Sequence, residues 1–84
     1  MSAAANAVMP VYGFVAGDTM GVVVLVRPDD TFRELAARLI EAASVRVMTS
    51  GRGRVAVNGR VPDPKATLRA EGIGPLDRVD LVWS

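Results

Sequence analysis

Residues 31–43, TFRELAARLIEAA, carry the one unmistakable helical period of the chain. Phe32, Leu35, Ala36, Leu39, Ile40 and Ala43 recur at i, i+3, i+4, i+7, i+8 and i+11, which draws a single apolar stripe along a helix of about three turns. Arg33, Glu34, Arg38 and Glu41 take the other side. Thr31 and Glu34 stand at the T-x-x-E spacing of a capping box, which satisfies two of the orphan amide donors of a first turn. Asp29 and Asp30 add negative charge at the positive end of the helix dipole. Glu34 with Arg38 and Arg38 with Glu41 offer ion pairs worth about 0.2 to 0.5 kcal/mol each. A lone amphipathic helix of this length is marginal in water, so its stripe must cover another element. The flanking sequence predicts that this element is a sheet.

Upstream, residues 10–16 read as a strand with a proline at its start, where a missing amide proton matters least. Gly17, Asp18 and Thr19 supply turn chemistry, and residues 20–27 form a second strand, giving an opening hairpin. Downstream, residues 48–53 read as a loop and residues 54–57 as a third strand. Asn58-Gly59 is the strongest two-residue hairpin signal, so Arg60 and Val61 should turn back as the stub of a fourth strand, ended by Pro62 and Pro64. Residues 67–71 can form one helical turn capped by Gly72, and residues 79–83 a closing strand. Residues 1–9 read as a flexible arm without the basic and apolar regions of a signal peptide, and residues 10–84 as a single domain. No internal repeat or low-complexity tract interrupts it.

With 84 residues the chain has room for one modest core. Half its residues are hydrophobic, as a folded chain requires. Ten basic against nine acidic side chains leave a formal charge of +1, too small for a general attraction to nucleic acid or membranes. The absence of cysteine and histidine removes disulfides, thiolate nucleophiles, the usual zinc ligands and the commonest general base. An enzyme active site is therefore not expected, nor any cofactor held by this chain. The longest apolar run, residues 21–26, is far short of the roughly 20 residues of a membrane helix, and a cytoplasmic location is expected.

Hairpin, helix, short strands, a helical turn and a final strand follow the order of the β-grasp fold. The run VAVNGRVPDPKATLRAEGIGPLDRVDLVW, residues 55–83, resembles the second half of a ubiquitin-like domain, and Arg27-Pro28-Asp29-Asp30-Thr31 resembles the approach to its helix. The implied fold class is α+β: a ubiquitin-like β-grasp, a mixed sheet with one main helix packed on one face. A closer resemblance is to the small ubiquitin-like gamma subunit of the hydroxylase in bacterial multicomponent diiron monooxygenases of the toluene, alkene and isoprene type. Pro10-Val11-Tyr12, Asp30, Ala36, Arg46-Val47, Thr67-Leu68, Glu71-Gly72-Ile73, Pro75 and Val79-Asp80-Leu81-Val82-Trp83 carry it. The loop of residues 49–53 and the ending Trp83-Ser84 depart from that pattern. This resemblance implies a non-catalytic accessory subunit for hydrocarbon oxidation, docked on the large (alpha) subunit beside a beta subunit. A free-standing ubiquitin-like interaction adaptor is the alternative. Because the chain closes on Leu81-Val82-Trp83-Ser84 instead of Gly-Gly, covalent conjugation is not expected.

With the register that the ubiquitin resemblance implies, Tyr12, Phe14, Val22, Val24, Val26, Val55, Val57, Val79 and Leu81 face the helix. Val11, Val15, Val23, Leu25, Ala56 and Val82 then form the opposite face and become the candidate partner interface. A strand as apolar as residues 22–26 suits cover on both sides, and one helix covers only one. A protein partner, self-association, or β-branched residues that merely suit an exposed sheet are the three readings.

Arg46, Arg52, Arg54 and Arg60 lie in a stretch without acidic residues, residues 45–61, readable as a nucleic-acid contact or as a solvated loop or polar rim of a protein interface. The small net charge and the lack of interleaved aromatics favour the loop or rim over nucleic acid. Gly51-Arg52-Gly53 lacks the Lys-Ser/Thr of a phosphate loop. Asp29 with Asp30 reads as cap chemistry before a metal pair, Asp77 and Asp80 as solvated carboxylates, and Trp83 as a packing residue.

Overall fold

A computed structural model describes residues 6–48 and 51–84, and the first two strands form a hairpin. Strand β1 (Met9–Val15) pairs antiparallel with β2 (Gly21–Val26), and the chain then crosses into helix α1 (Phe32–Ala43). Strand β3 (Gly53–Ala56), a 3-10 turn at Arg69–Glu71 and β4 (Arg78–Trp83) complete it. The sheet order is β2-β1-β4-β3, with β1 and β4 parallel and β3 antiparallel to β4. A crossover that carries a helix is what allows the first and last strands to lie side by side in parallel.

Helix α1 begins where the sequence places it. The Thr31 hydroxyl accepts from the Glu34 N–H (3.2 Å) and the Glu34 carboxylate accepts from the Thr31 N–H (2.8 Å), a complete capping box. The two remaining orphan donors are taken by a distant loop: Phe32 N–H donates to Ala66 C=O (3.0 Å) and Arg33 N–H to Pro64 C=O (2.9 Å). Every first-turn donor is thus satisfied, and the loop of residues 62–68 is held against the helix start. That requirement explains why the expected fourth-strand stub shrinks to one bridge between Val57 and Arg60, since the chain must leave the sheet to reach the helix. Asn58 (φ 53°) and Gly59 (φ 80°) make the turn, both in the left-handed region of a type I′ hairpin.

The expected strand ends shift by a residue or so. Met9 is already a buried member of β1, and Asn6 is tied down as well: its side-chain oxygen accepts from the Asp29 N–H and its carbonyl from the Arg27 guanidinium, both at 3.0 Å. Residues 1–5 of the expected arm, and Thr49 and Ser50 of the expected loop, lie outside the described residues.

The core sits between α1 and one sheet face. Phe32, Leu35, Ala36, Leu39 and Ala43 are buried against Val24, Val26, Val55, Leu68, Ile73, Val79 and Leu81. Ile40, the sixth member of the stripe, is half-buried. Glycines in the sheet admit the helix. A Cβ on Gly13 would lie 2.1 Å from Leu39 Cδ2, and one on Gly53 would lie 2.9 Å from Ile40 Cδ1. Leu39 therefore occupies the space where a β1 side chain would stand.

This notch gives a paired prediction. Gly13→Ala overpacks the site and is expected to lower unfolding free energy by about 1 to 3 kcal/mol. Leu39→Ala leaves a cavity and should cost about 2 to 5 kcal/mol. In denaturant titrations the double variant should lose less than the sum, because each change relieves the other; strict additivity would show that the two sites do not share the space.

Candidate interaction surface

The pairing registers decide which side chains leave the core. Directly opposed residues share a face, and Val11 stands opposite Val24 while Tyr12 stands opposite Val23. Tyr12 and Phe14 of β1, Val23 and Leu25 of β2, Arg54 and Ala56 of β3, and Arg78, Asp80 and Val82 of β4 consequently share the face away from the helix.

Four of the six expected interface residues lie on this outer face. Val23 (54% exposed) and Leu25 (60%) are open to solvent, Val82 is exposed, and Ala56 is half-buried. The other two are corrected by the structure: Val11 (0% exposed) and Val15 (2%) belong to the core, whereas Tyr12 (44%) and the half-buried Phe14 take the outer side. The phase of β1 is therefore opposite to the expected one. Its physical cause is Gly13, which must face the helix to receive Leu39, and which carries Met9, Val11 and Val15 inward with it by the two-residue period. The glycine between two aromatics was the available signal.

The outer face has two halves. On β1 and β2 the Tyr12 and Phe14 rings stack with centroids 5.8 Å apart and planes 9° from parallel. Gly21 makes room for them, since a Cβ there would come within 2.8 Å of the Phe14 ring. With Val23 and Leu25 the rings form an exposed apolar patch of the kind that marks association surfaces. On β4 the Arg78 guanidinium lies 4.2 Å from the Phe14 ring centroid and pairs with Asp80 at 3.1 Å, closing the patch with a charged border.

The arginine stretch is divided by the fold. Arg46 makes a bidentate pair with Asp18 (2.8 Å at its shortest), locking the segment after α1 to the β1–β2 turn, and Arg60 pairs with Glu71. Arg52 and Arg54 stay exposed at the β3 edge. Among the carboxylates, Asp29 holds Arg69 at 2.8 Å, Asp30 accepts from the Arg27 N–H (2.9 Å), and Asp77 from the Gly74 N–H (2.7 Å). Among the described residues no cluster of acidic side chains could hold a metal ion, and no helix is long and apolar enough to cross a membrane. Trp83 is half-buried, its indole N–H donating to Ala16 C=O at 2.9 Å, so it ties β4 to the end of β1.

Two carboxylates are held below their ordinary range. For Asp18 the main cause is the hydrogen bond from the Arg46 guanidinium, which outweighs the opposing desolvation and is helped by the Met20 N–H; Arg46 is raised in return. For Glu34 it is the Thr31 N–H, followed by the Thr31 hydroxyl.

The sequence model of one protein family, described as toluene-4-monooxygenase system protein B (TmoB), matches residues 8–83. Comparison with curated proteins gave no match. Among solved structures, a chain of the toluene 4-monooxygenase HD complex with the inhibitor 4-bromobenzoate superposes with a TM-score of 0.83 at 20% identity, covering 93% of this chain and 100% of that one. Caldiarchaeum subterraneum ubiquitin gives 0.73 at 18% identity over 93% and 95% of the two chains. A protein designed from ubiquitin gives 0.74 at 27% identity over 89% and 87%. The fold is ubiquitin-like, a mixed four-stranded sheet with one helix packed on it.

The lowered carboxylates set an acid sensitivity. A group whose folded pKa is depressed contributes stability above its unfolded pKa and loses it as pH falls through the folded value. Thermal midpoints should thus hold near neutrality and drop as pH falls through and below the ordinary carboxylate range. Asp18→Asn should start lower at pH 7 and fall less steeply in acid; an unchanged acid slope in that variant would remove Asp18 as a cause.

Proposed function

The chain belongs to the toluene-4-monooxygenase system protein B family, and from that premise we propose that it is a non-catalytic accessory subunit of a diiron monooxygenase hydroxylase. In this reading it docks by its outer sheet face on the large, iron-binding subunit of a hydrocarbon-oxidising complex that also holds a beta subunit. The iron, the oxygen chemistry and the choice of substrate belong to those other chains.

The observation that carries the docking is the apolar half of the outer face. Tyr12, Phe14, Val23 and Leu25 contribute nothing to the core, yet Gly21 is cut back to seat the two rings. Aromatic and aliphatic side chains on a rigid sheet are good anchors because they bring large contact area and lose little freedom on binding. The Arg78–Asp80 pair beside them suits a rim, where polar groups add orientation more than affinity.

A tagged form of the chain, expressed in its native host, is expected to copurify in stoichiometric amounts with a large iron-binding chain. Val23→Asp combined with Leu25→Lys should leave the circular dichroism spectrum and thermal midpoint near those of the parent while abolishing that recovery. Undiminished copurification of the folded double variant would exclude this face. A parent protein that elutes alone would exclude the subunit reading and favour the free-standing adaptor.

A further inference from the structure

The sheet has a second feature on its other side, unrelated to the apolar patch. Strand β3 is an edge strand, paired with β4 alone. Arg52 exchanges both of its backbone hydrogen bonds with Ser84, at 3.1 and 2.9 Å. By the alternation of an antiparallel ladder, Arg54 and Ala56 also turn their N–H and C=O groups toward β4, while Gly53 and Val55 turn theirs to the open edge. Val57, next in the same phase, uses its groups on Arg60 at 2.7 and 3.0 Å. Gly53 and Val55 find no such backbone partner among the described residues.

Beside this edge runs a groove of about 710 Å³ between β3 and α1, with Ala36, Ile40 and Val55 among its apolar lining. Arg33, Arg52 and Arg54 also line it, and no acidic residue does. None of these three arginines has an ion pair among the described residues, whereas Arg38, Arg46, Arg60, Arg69 and Arg78 each have one. Open backbone groups thus run between an apolar trough on the helix side and the exposed Arg52 and Arg54 side chains on the opposite face of the sheet. Edge strands are ordinarily blunted to prevent pairing; this one is short and is closed at Val57 by Arg60, and over Gly53 and Val55 it carries positive charge, which repels a second copy of itself but attracts an acidic chain.

We propose that the β3 edge binds an extended segment of a partner protein in which apolar and acidic side chains alternate. The segment adds as a fifth strand, hydrogen-bonded to Gly53 and Val55. Its apolar side chains enter the groove against Ala36 and Ile40, and its carboxylates meet Arg52 and Arg54, whose side chains leave the opposite face. A nucleic acid fits less well, because the groove offers open peptide groups and aliphatic walls but no exposed aromatic ring for a base to stack on.

Amide spectra of the full ¹⁵N-labelled chain, titrated with a capped octapeptide of alternating glutamate and valine, test this. Saturable shifts are expected at Gly53 and Val55. The lysine-valine counterpart should bind at least about tenfold more weakly, a difference of about 1.4 kcal/mol. Arg52→Glu with Arg54→Glu, changes at exposed and unpaired positions, should reverse that preference. The site is refuted by an absence of saturable shifts, by equal binding of the two peptides, by shifts centred on β2, or by tighter binding of a short single-stranded oligonucleotide. Since β2 lies on the far edge, Val23→Asp with Leu25→Lys should leave the peptide binding unchanged, so this proposal and the outer-face docking fail separately.

Discussion

The contact of Leu39 with Gly13 is the constraint from which the rest of the architecture follows. A helix approaches a sheet closely where its buried side chains find room, and here the room for Leu39 is a missing Cβ on the central strand β1. Because side chains alternate along a strand, one inward-facing glycine determines the phase of the whole of β1. The antiparallel register passes that phase to β2, and the parallel register passes it to β4 and thence to β3. Which valines are core and which are surface is thus set by a single packing contact.

A second constraint acts at the helix start. A ubiquitin-like chain of this length has a small core, so backbone groups left unsatisfied would be costly. The capping box handles one end of the requirement from within the helix, and the carbonyls of Pro64 and Ala66 handle the remainder from more than thirty residues away. The ion pairs Arg46–Asp18, Arg69–Asp29 and Arg60–Glu71 act in the same sense: each joins segments distant in sequence at the ends of the sheet. Arg69–Asp29 and Arg60–Glu71 are surface pairs of modest worth, Asp18 is enclosed in a bidentate contact with Arg46, and the common effect is to position loops that the core does not reach.

With the interior settled, the surface divides its roles. One face of the sheet serves the helix. The other is apolar toward β2 and charged along β4, and the β3 edge carries arginine beside open peptide groups. Exposed apolar side chains on the outer face and open peptide groups beside arginine on the β3 edge are features of surfaces that recognise another chain. A rigid sheet presents such surfaces at little entropic cost.

The sequence by itself determined the helix, its cap, the Asn58-Gly59 turn, the Gly72 cap and the order of the strands, because each of these is encoded in residues that are close neighbours along the chain. Local patterning did not place Val23 and Leu25, since β2 is apolar throughout from Val22 to Val26, and their outer position, like that of Val82, followed from the register that the ubiquitin resemblance implies. Nor could local patterning decide β1, whose residues from Met9 to Val15 are apolar on both sides and therefore carry no phase of their own. Only the tertiary structure put Val11 and Val15 inside and Tyr12 and Phe14 outside, through the fit of a helical leucine into a strand glycine. The fate of the arginines was likewise decided in three dimensions: Asp18 and Glu71, remote in sequence, took Arg46 and Arg60, and Arg52 and Arg54 were left exposed at the open edge. Period and capping act between neighbours, whereas facing and pairing are properties of surfaces that meet only when the chain has folded.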